Sequence, residues 1–227
     1  MSGENASFEE GKVLLIDKPL QWTSFDVVRK LRNIIRIKKI GHAGTLDPLA
    51  TGLLIVCTGK FTKRINEFMS REKEYTGTIT LGAVTPTYDL ESDPENFLPI
   101  QSISLAKIRE AALQLTGPIL QIPPAHSAIK QNGKRVYELA RQGKEVKLEP
   151  RPVTIYTFDI LSFNEGVVQF LVRCSTGTYI RSLANDLGKI LACGGYLSSL
   201  RRTKIGEFFV EDAQTMEAFE EAHKMKG

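Results

Sequence analysis

The chain has 227 residues, 42% hydrophobic and 25% charged, with a formal net charge of +4. These proportions suit one large or two small globular domains, and no apolar run approaches membrane-spanning length. The mild basic excess permits a nucleic-acid partner without requiring one. Three scattered cysteines, Cys57, Cys174 and Cys193, make neither a disulfide framework nor a paired-thiolate metal site, and suit a reducing cytoplasm.

In chain order, the acidic, polar residues 1–11 read as a flexible tail. Lys12 to Asp17 reads as a short buried strand ending at Lys18-Pro19. Thr23 or Ser24 can cap a helix whose Val27, Val28, Leu31, Ile34 and Ile35 share one face. Leu53 to Cys57 is a continuous apolar run, as in a central strand, and Phe61 to Phe68 reads as a short helix. Alternation from Tyr75 to Leu81 predicts a half-buried strand, and the turn-rich, acidic 86–100 a surface loop. Leu105, Ile108, Ala112 and Leu115 mark a helix closed by Gly117-Pro118. The stretch 130–147 is basic, glycine-punctuated and poorly amphipathic, consistent with a protruding element. Val153 to Phe163 and Val167 to Cys174 pair around Asn164-Glu165-Gly166. Ile180, Leu183, Ala184, Leu187, Ile190 and Leu191 form the clearest helical stripe. Strand pairs in tandem favour an α+β fold with a mixed, largely antiparallel sheet.

The most unusual stretch is Gly41-His42-Ala43-Gly44-Thr45-Leu46-Asp47-Pro48-Leu49-Ala50-Thr51-Gly52. Glycine admits positive φ and close backbone approach. A residue before proline is pushed to extended geometry, which keeps Asp47 out of a helix. An ordinary Asp-Pro turn would explain one such pair, but not this density of special residues beside an apolar strand. Asp47 is therefore the candidate nucleophile or base. A carboxylate can act as a covalent nucleophile when a cation holds it ionised and aimed. Arg181 is a candidate for that cation, because it opens a helix where the dipole slightly disfavours positive charge. Tyr75 alone reads as core, His42 as an ambiguous loop residue, and the cations of 130–147 with Arg201, Arg202 and Lys204 as either a solvated face or a phosphate-contacting rim. No P-loop, dinucleotide fingerprint or zinc-hydrolase motif is present.

The glycine-rich stretch resembles the catalytic motif of the TruB family of tRNA pseudouridine synthases. The likeness continues in order through Asp17-Lys18-Pro19 with Thr23-Ser24, Lys73-Glu74-Tyr75, Pro123-Pro124 with Lys130 and Tyr137, Gly177-Thr178-Tyr179-Ile180-Arg181, and Leu200-Arg201-Arg202. The resemblance implies conversion of uridine to pseudouridine at position 55 of the tRNA T-loop, with the nucleotide flipped out of its stack. By position it makes Asp47 the nucleophile and Arg181 its ion-pair partner. Tyr75 would stack on the base, Tyr179 line the same pocket, Leu200 contact the base and His42 help displace the uridine. Lys18, Lys130, Lys134, Arg135, Arg201 and Arg202 are expected to contact RNA. Attack on uracil C6 and on ribose C1′ both stay open. No cofactor or metal is expected, and the expected partner is the tRNA T-arm, bound by a cytoplasmic monomer without an obligatory protein partner.

The implied layout is a catalytic domain over 12–212 with a thumb near 124–152. A short segment over 213–227 follows, without the C-terminal RNA-binding PUA domain of many relatives. Gln21 departs from the usual glycine of the first motif, and Pro86 and His126 depart elsewhere. The alternatives are a guide-dependent synthase that needs partner proteins and a non-catalytic tRNA-binding protein on the same scaffold.

Overall fold

The computed structural model describes residues 3–124, 130–131, 134–135 and 148–224. The chain divides into two compact units, Met1–Thr76 with Leu200–Gly227, and Gly77–Ser199. The expected domain over 12–212 is thus built as two units. Two strands, β4 (Lys73–Leu81) and β10 (Gly195–Ile205), contribute residues to both.

The first unit is organised around β3 (Ala50–Thr58). One edge of β3 pairs antiparallel with β1 (Val13–Lys18), from Val13 opposite Cys57 to Lys18 opposite Gly52. Its other edge is shared. Ala50, Thr51 and Gly52 run parallel to Leu200, Arg201 and Arg202 of β10. Val56, Cys57 and Thr58 pair antiparallel with β2 (Ile40–His42). β12 (Gln214–Thr215) lies parallel to β1, and β11 (Phe208–Phe209) turns back on β10.

The middle of β3, 53–57, is continuously apolar because both its faces are covered. Leu54 and Val56 join a cluster with Val27, Val28, Leu31 and Ile35 of α2 (Ser24–Ile35) and Met216 and Phe219 of α6 (Met216–Lys224). Leu53, Ile55 and Cys57 face Phe68 of α3 (Ile65–Met69), Ile205 and Val210. α2 starts where the sequence predicts: Thr23 accepts from the Asp26 amide and Asp26 accepts from the Thr23 amide, a reciprocal capping box.

The expected loose tail is corrected. α1 (Gly3–Glu10) brings Phe8, 3% exposed, into the α2–α6 cluster, and the Phe8 carbonyl accepts from Thr58 Oγ1 at 2.9 Å. Its polar composition concealed one anchoring aromatic. Residues 61–68 also differ in detail: a 3-10 turn, Gly59–Arg64, precedes α3.

In the second unit the strand order is β10, β4, β9 (Val167–Cys174), β8 (Arg151–Asn164) and β5 (Gly117–Gln121). β8 and β9 form the predicted hairpin around residues 165–166. β5, which the sequence reading passed over as the end of a helix, pairs antiparallel with the start of β8. α4 (Leu105–Gln114) lies against β8, where Arg109 donates to the Ile160 carbonyl, and α5 (Ile180–Ile190) buries Ile180, Leu183, Ala184 and Leu187 of the predicted stripe but leaves Ile190 exposed and Leu191 half-buried. β6 (Lys130–Gln131) and β7 (Lys134–Arg135) pair antiparallel. The parallel and antiparallel pairings make the sheet mixed, and with its helices the fold is α+β as expected. Among the described residues no helix is long and apolar enough to cross a membrane.

Candidate active site

The loop carrying Asp47 arises from a gap along β3. β10 pairs with residues 50–52 and β2 with 56–58, which leaves the carbonyls of Leu53 and Ile55 on that edge without a strand partner. A buried carbonyl needs a donor. Ala43 N–H supplies one to Ile55 at 2.8 Å, and Arg202 Nε supplies the other to Leu53 at 2.7 Å. The chain between them, 43–49, is therefore moored at the sheet edge and closes with a turn from Ala50 N–H to the Asp47 carbonyl at 3.0 Å.

Three side chains from separate elements then hold the backbone around Asp47. Lys18, at the end of β1 and 0% exposed, donates from Nζ to the carbonyls of Trp22 at 2.5 Å, Pro19 at 2.9 Å and Pro48 at 3.4 Å. Ser24 Oγ accepts from Leu46 N–H at 2.8 Å and donates to the Leu46 carbonyl at 3.1 Å. Arg202, 1% exposed, reaches the Gly44 carbonyl at 3.2 Å and that of Thr45 at 3.5 Å. Gln21 N–H adds a bond to the Pro48 carbonyl at 2.8 Å. Gly44 and Gly52 both have positive φ. At Gly52 a Cβ would lie 2.3 Å from the Arg202 carbonyl, so only glycine lets β3 approach β10 there.

Electrostatics follow from this burial. Desolvation pushes the Lys18 ammonium down to about 8, against the pull of the Asp47 carboxylate, which favours the charged form. At pH 7 Lys18 is still mostly protonated, a cation beside Asp47 within the same unit. His42, half-buried on β2, is held below its usual value by burial and by the nearby Arg202. It is therefore the neutral imidazole at pH 7.

Lys18 and Arg202 were expected to touch RNA. Both are instead buried, Lys18 Nζ on the carbonyls of Pro19, Trp22 and Pro48 and Arg202 on those of Leu53, Gly44 and Thr45, where they support the Asp47 loop. A cation reads as a surface group from sequence because the carbonyls that draw it inward come from distant elements. Arg201 is different: it is part-exposed and makes a two-pronged pair with Asp17 at 2.7 and 3.0 Å. Tyr75 points inward from β4 and is 7% exposed. Leu200 is half-buried opposite Ala50. The side chains of Lys130, Lys134 and Arg135 lie outside the described residues, as do residues 125–129, 132–133 and 136–147 of the expected thumb.

In the second unit, Tyr179 and Arg181 sit at the start of α5. Gln121, 2% exposed at the end of β5, both accepts from Tyr179 N–H at 2.8 Å and donates to the Tyr179 carbonyl at 3.1 Å. Ser182 Oγ donates to the Ile122 carbonyl at 2.8 Å. The helix start is thereby tied to a strand end. Arg181 is 5% exposed; one of its terminal nitrogens donates to the Thr87 carbonyl at 3.3 Å and lies 3.6 Å from Asp89 Oδ2. Asp89 itself bridges in parallel to Leu197 of β10. Sequence reading missed Ser24, Asp89 and Gln121 as site-supporting residues. Ser24 carried a signal, since it sits in the first-motif resemblance, while Gln121 carried none.

Comparison with known proteins gives concordant matches. Residues 32–180 match the model of the N-terminal domain of TruB family pseudouridylate synthases, and residues 181–226 that of the tRNA pseudouridylate synthase B C-terminal domain. The chain is 51% identical over 220 residues to tRNA pseudouridine synthase B of Flavobacterium johnsoniae, covering 94% of this chain and 96% of that one. It is 48% identical over 221 residues to the protein of the same name from Phocaeicola vulgatus, covering 95% and 94%. Among solved structures it is similar to a chain of a Cbf5-Nop10-Gar1 complex, with a TM-score of 0.74 and 29% identity over 94% of this chain. It spans about half of that solved chain, 54%.

Proposed function

Because the chain belongs to the TruB family of pseudouridylate synthases, whose activity is the isomerisation of uridine to pseudouridine in tRNA, we propose that it acts on uridine 55 of the T-loop with Asp47 as its nucleophile. The observation that carries this reading is the loop around Asp47, fastened through Leu46, Pro48, Gly44 and Thr45 by Ser24, Lys18 and Arg202. A nucleophile held on a rigid backbone loses little in reaching its attacking geometry.

The other roles follow from the same reading. The target nucleotide leaves its stack at a cost of a few kcal/mol, and an aromatic face that receives it returns part of that. Tyr75 supplies that face, Tyr179 and Leu200 contact the base, and neutral His42 takes the space that the uridine vacates. Arg181 is the guanidinium that pairs with the Asp47 carboxylate. Lys130, Lys134, Arg135 and Arg201 contact RNA phosphates. The enzyme acts as a monomer on tRNA alone. The near-complete coverage of the synthase B relatives supports that mode. The likeness to Cbf5 in complexes with Nop10 and Gar1 is the observation on the side of a guide-dependent mode.

The test is tritium release from unmodified tRNA carrying 5-tritiated uridine, with no other protein or RNA added. Release of about one equivalent per tRNA, abolished when position 55 is cytidine, is the expected result. Release that persists from the position-55 variant would overturn the site assignment. No release without a guide RNA would favour the second mode.

A further inference from the structure

The segment from Arg29 to Lys39, RKLRNIIRIKK, carries six cations and no acid. It covers the second half of α2 and the turn into β2, and Lys39 lies only three residues before His42. Arg29, Arg36, Lys38 and Lys39 are exposed. Two cations in the segment are paired: Arg29 with Asp26 at 2.7 Å, and Lys30 with Glu220 at 2.9 Å. Arg36 caps α2 in the left-handed region, φ 53°. Glycine is the residue that takes this position without strain. The helix dipole favours a cation at this end of α2, and Arg36 remains exposed to solvent.

Beside this segment is a cavity of about 400 Å³, lined by Gln21, Trp22, Asp26, Arg29, Lys30 and Asn33. It offers an aromatic ring, two cations, a carboxylate and two amides, which is the inventory needed to stack a base, contact its phosphate and bond its edge. Its Gln21–Trp22 wall is fixed to the Asp47 loop, since Gln21 N–H bonds the Pro48 carbonyl and Lys18 Nζ bonds both Trp22 and Pro48.

We propose that this cavity is a second nucleotide subsite, which holds a nucleotide of the substrate RNA other than the target uridine while Arg36, Lys38 and Lys39 hold the adjoining phosphates. The inference rests on the RNA-modifying reading. It adds a place for a neighbouring nucleotide and a route by which its seating bears on the loop that carries Asp47.

Trp22 is the single tryptophan of the chain, so its emission reports the cavity without reference to catalysis. Saturating unmodified tRNA is expected to quench it and to shield it from acrylamide, with 5′-AMP producing the same change only at millimolar concentration. Replacing Arg36, Lys38 and Lys39 together by Ala is expected to weaken tRNA binding about tenfold at 0.1 M salt, and to reduce the log–log salt slope by roughly two to three. The melting temperature should be unchanged. Unaltered Trp22 emission and shielding under saturating tRNA would overturn the subsite, whether or not 5′-AMP quenches. A wild-type salt slope in the stably folded triple variant would overturn the phosphate contacts. Tritium release from the same wild-type samples tests the catalytic reading separately: its failure alongside quenching would indict that reading and leave the subsite standing.

Discussion

Lys18 shows how a buried charge serves the Asp47 loop. Its ammonium has three donors and meets three carbonyls, so converting it to the neutral amine removes one donor together with the charge beside Asp47. Its folded-state value of about 8 lies below the ordinary 10.5. Activity should therefore fall as pH rises through about 8. Stability should move the other way: the folded chain releases this proton before the unfolded chain does, so this group adds stability between about pH 8 and 10.5. Single-turnover rates and melting temperatures over that range test the opposed trends. Lys18→Met should lose the limb near pH 8 and slow turnover at least tenfold, while leaving carbonyls unpaired at a cost of roughly 1–3 kcal/mol. Arg202→Lys keeps the charge but not the fork that spans Leu53, Gly44 and Thr45. It should cost a similar amount of stability and a larger share of activity than any Arg201 substitution, as chemical denaturation and tritium release together would read.

At the scale of elements, what was legible was what local pattern decides. α2 announced itself by Thr23, Asp26 and its apolar stripe, β3 by a run buried on both faces, and the β8–β9 hairpin by its turn. The Asp47 loop stood out because glycine and proline mark special backbone. What was not legible depends on pairing between distant segments. β10, GYLSSLRRTKI, shows no alternation because Arg202 is buried by acceptors some 150 residues earlier in the chain, and β2 and β5 are too short to carry a period. Gly52 tests the resulting geometry. A side chain there would meet the Arg202 carbonyl at 2.3 Å and require φ near 102°. Gly52→Ala should destabilise the protein by roughly 3 kcal/mol or more and release the Arg202 end of the loop, seen as a lower melting temperature and lost activity. Gln121→Leu is the matching test for α5. Tyr179 N–H loses its Gln121 acceptor, while the Tyr179 carbonyl keeps the Leu183 N–H at 3.1 Å, a cost of about 1–3 kcal/mol, and turnover should fall while tRNA affinity is largely kept.

Each compact unit carries residues proposed for catalysis: His42, Asp47, Tyr75 and Leu200 in the first, Tyr179 and Arg181 in the second. The first unit is completed by both chain ends. Phe8 near the start and Met216 and Phe219 near the finish enter the cluster that also holds α2 and β3, the two elements next to the Asp47 loop. Phe8→Ala should therefore cost about 3–5 kcal/mol, measurable by denaturant titration, although composition marked the first eleven residues as a tail. The central claim is that Asp47, on a loop fixed by Lys18, Ser24 and Arg202, is the nucleophile of uridine isomerisation. Its most direct test is tritium release by the Asp47→Asn variant from tRNA bound as tightly as by the wild type. The account predicts undiminished tRNA binding with essentially no release. Release at the wild-type rate would contradict it.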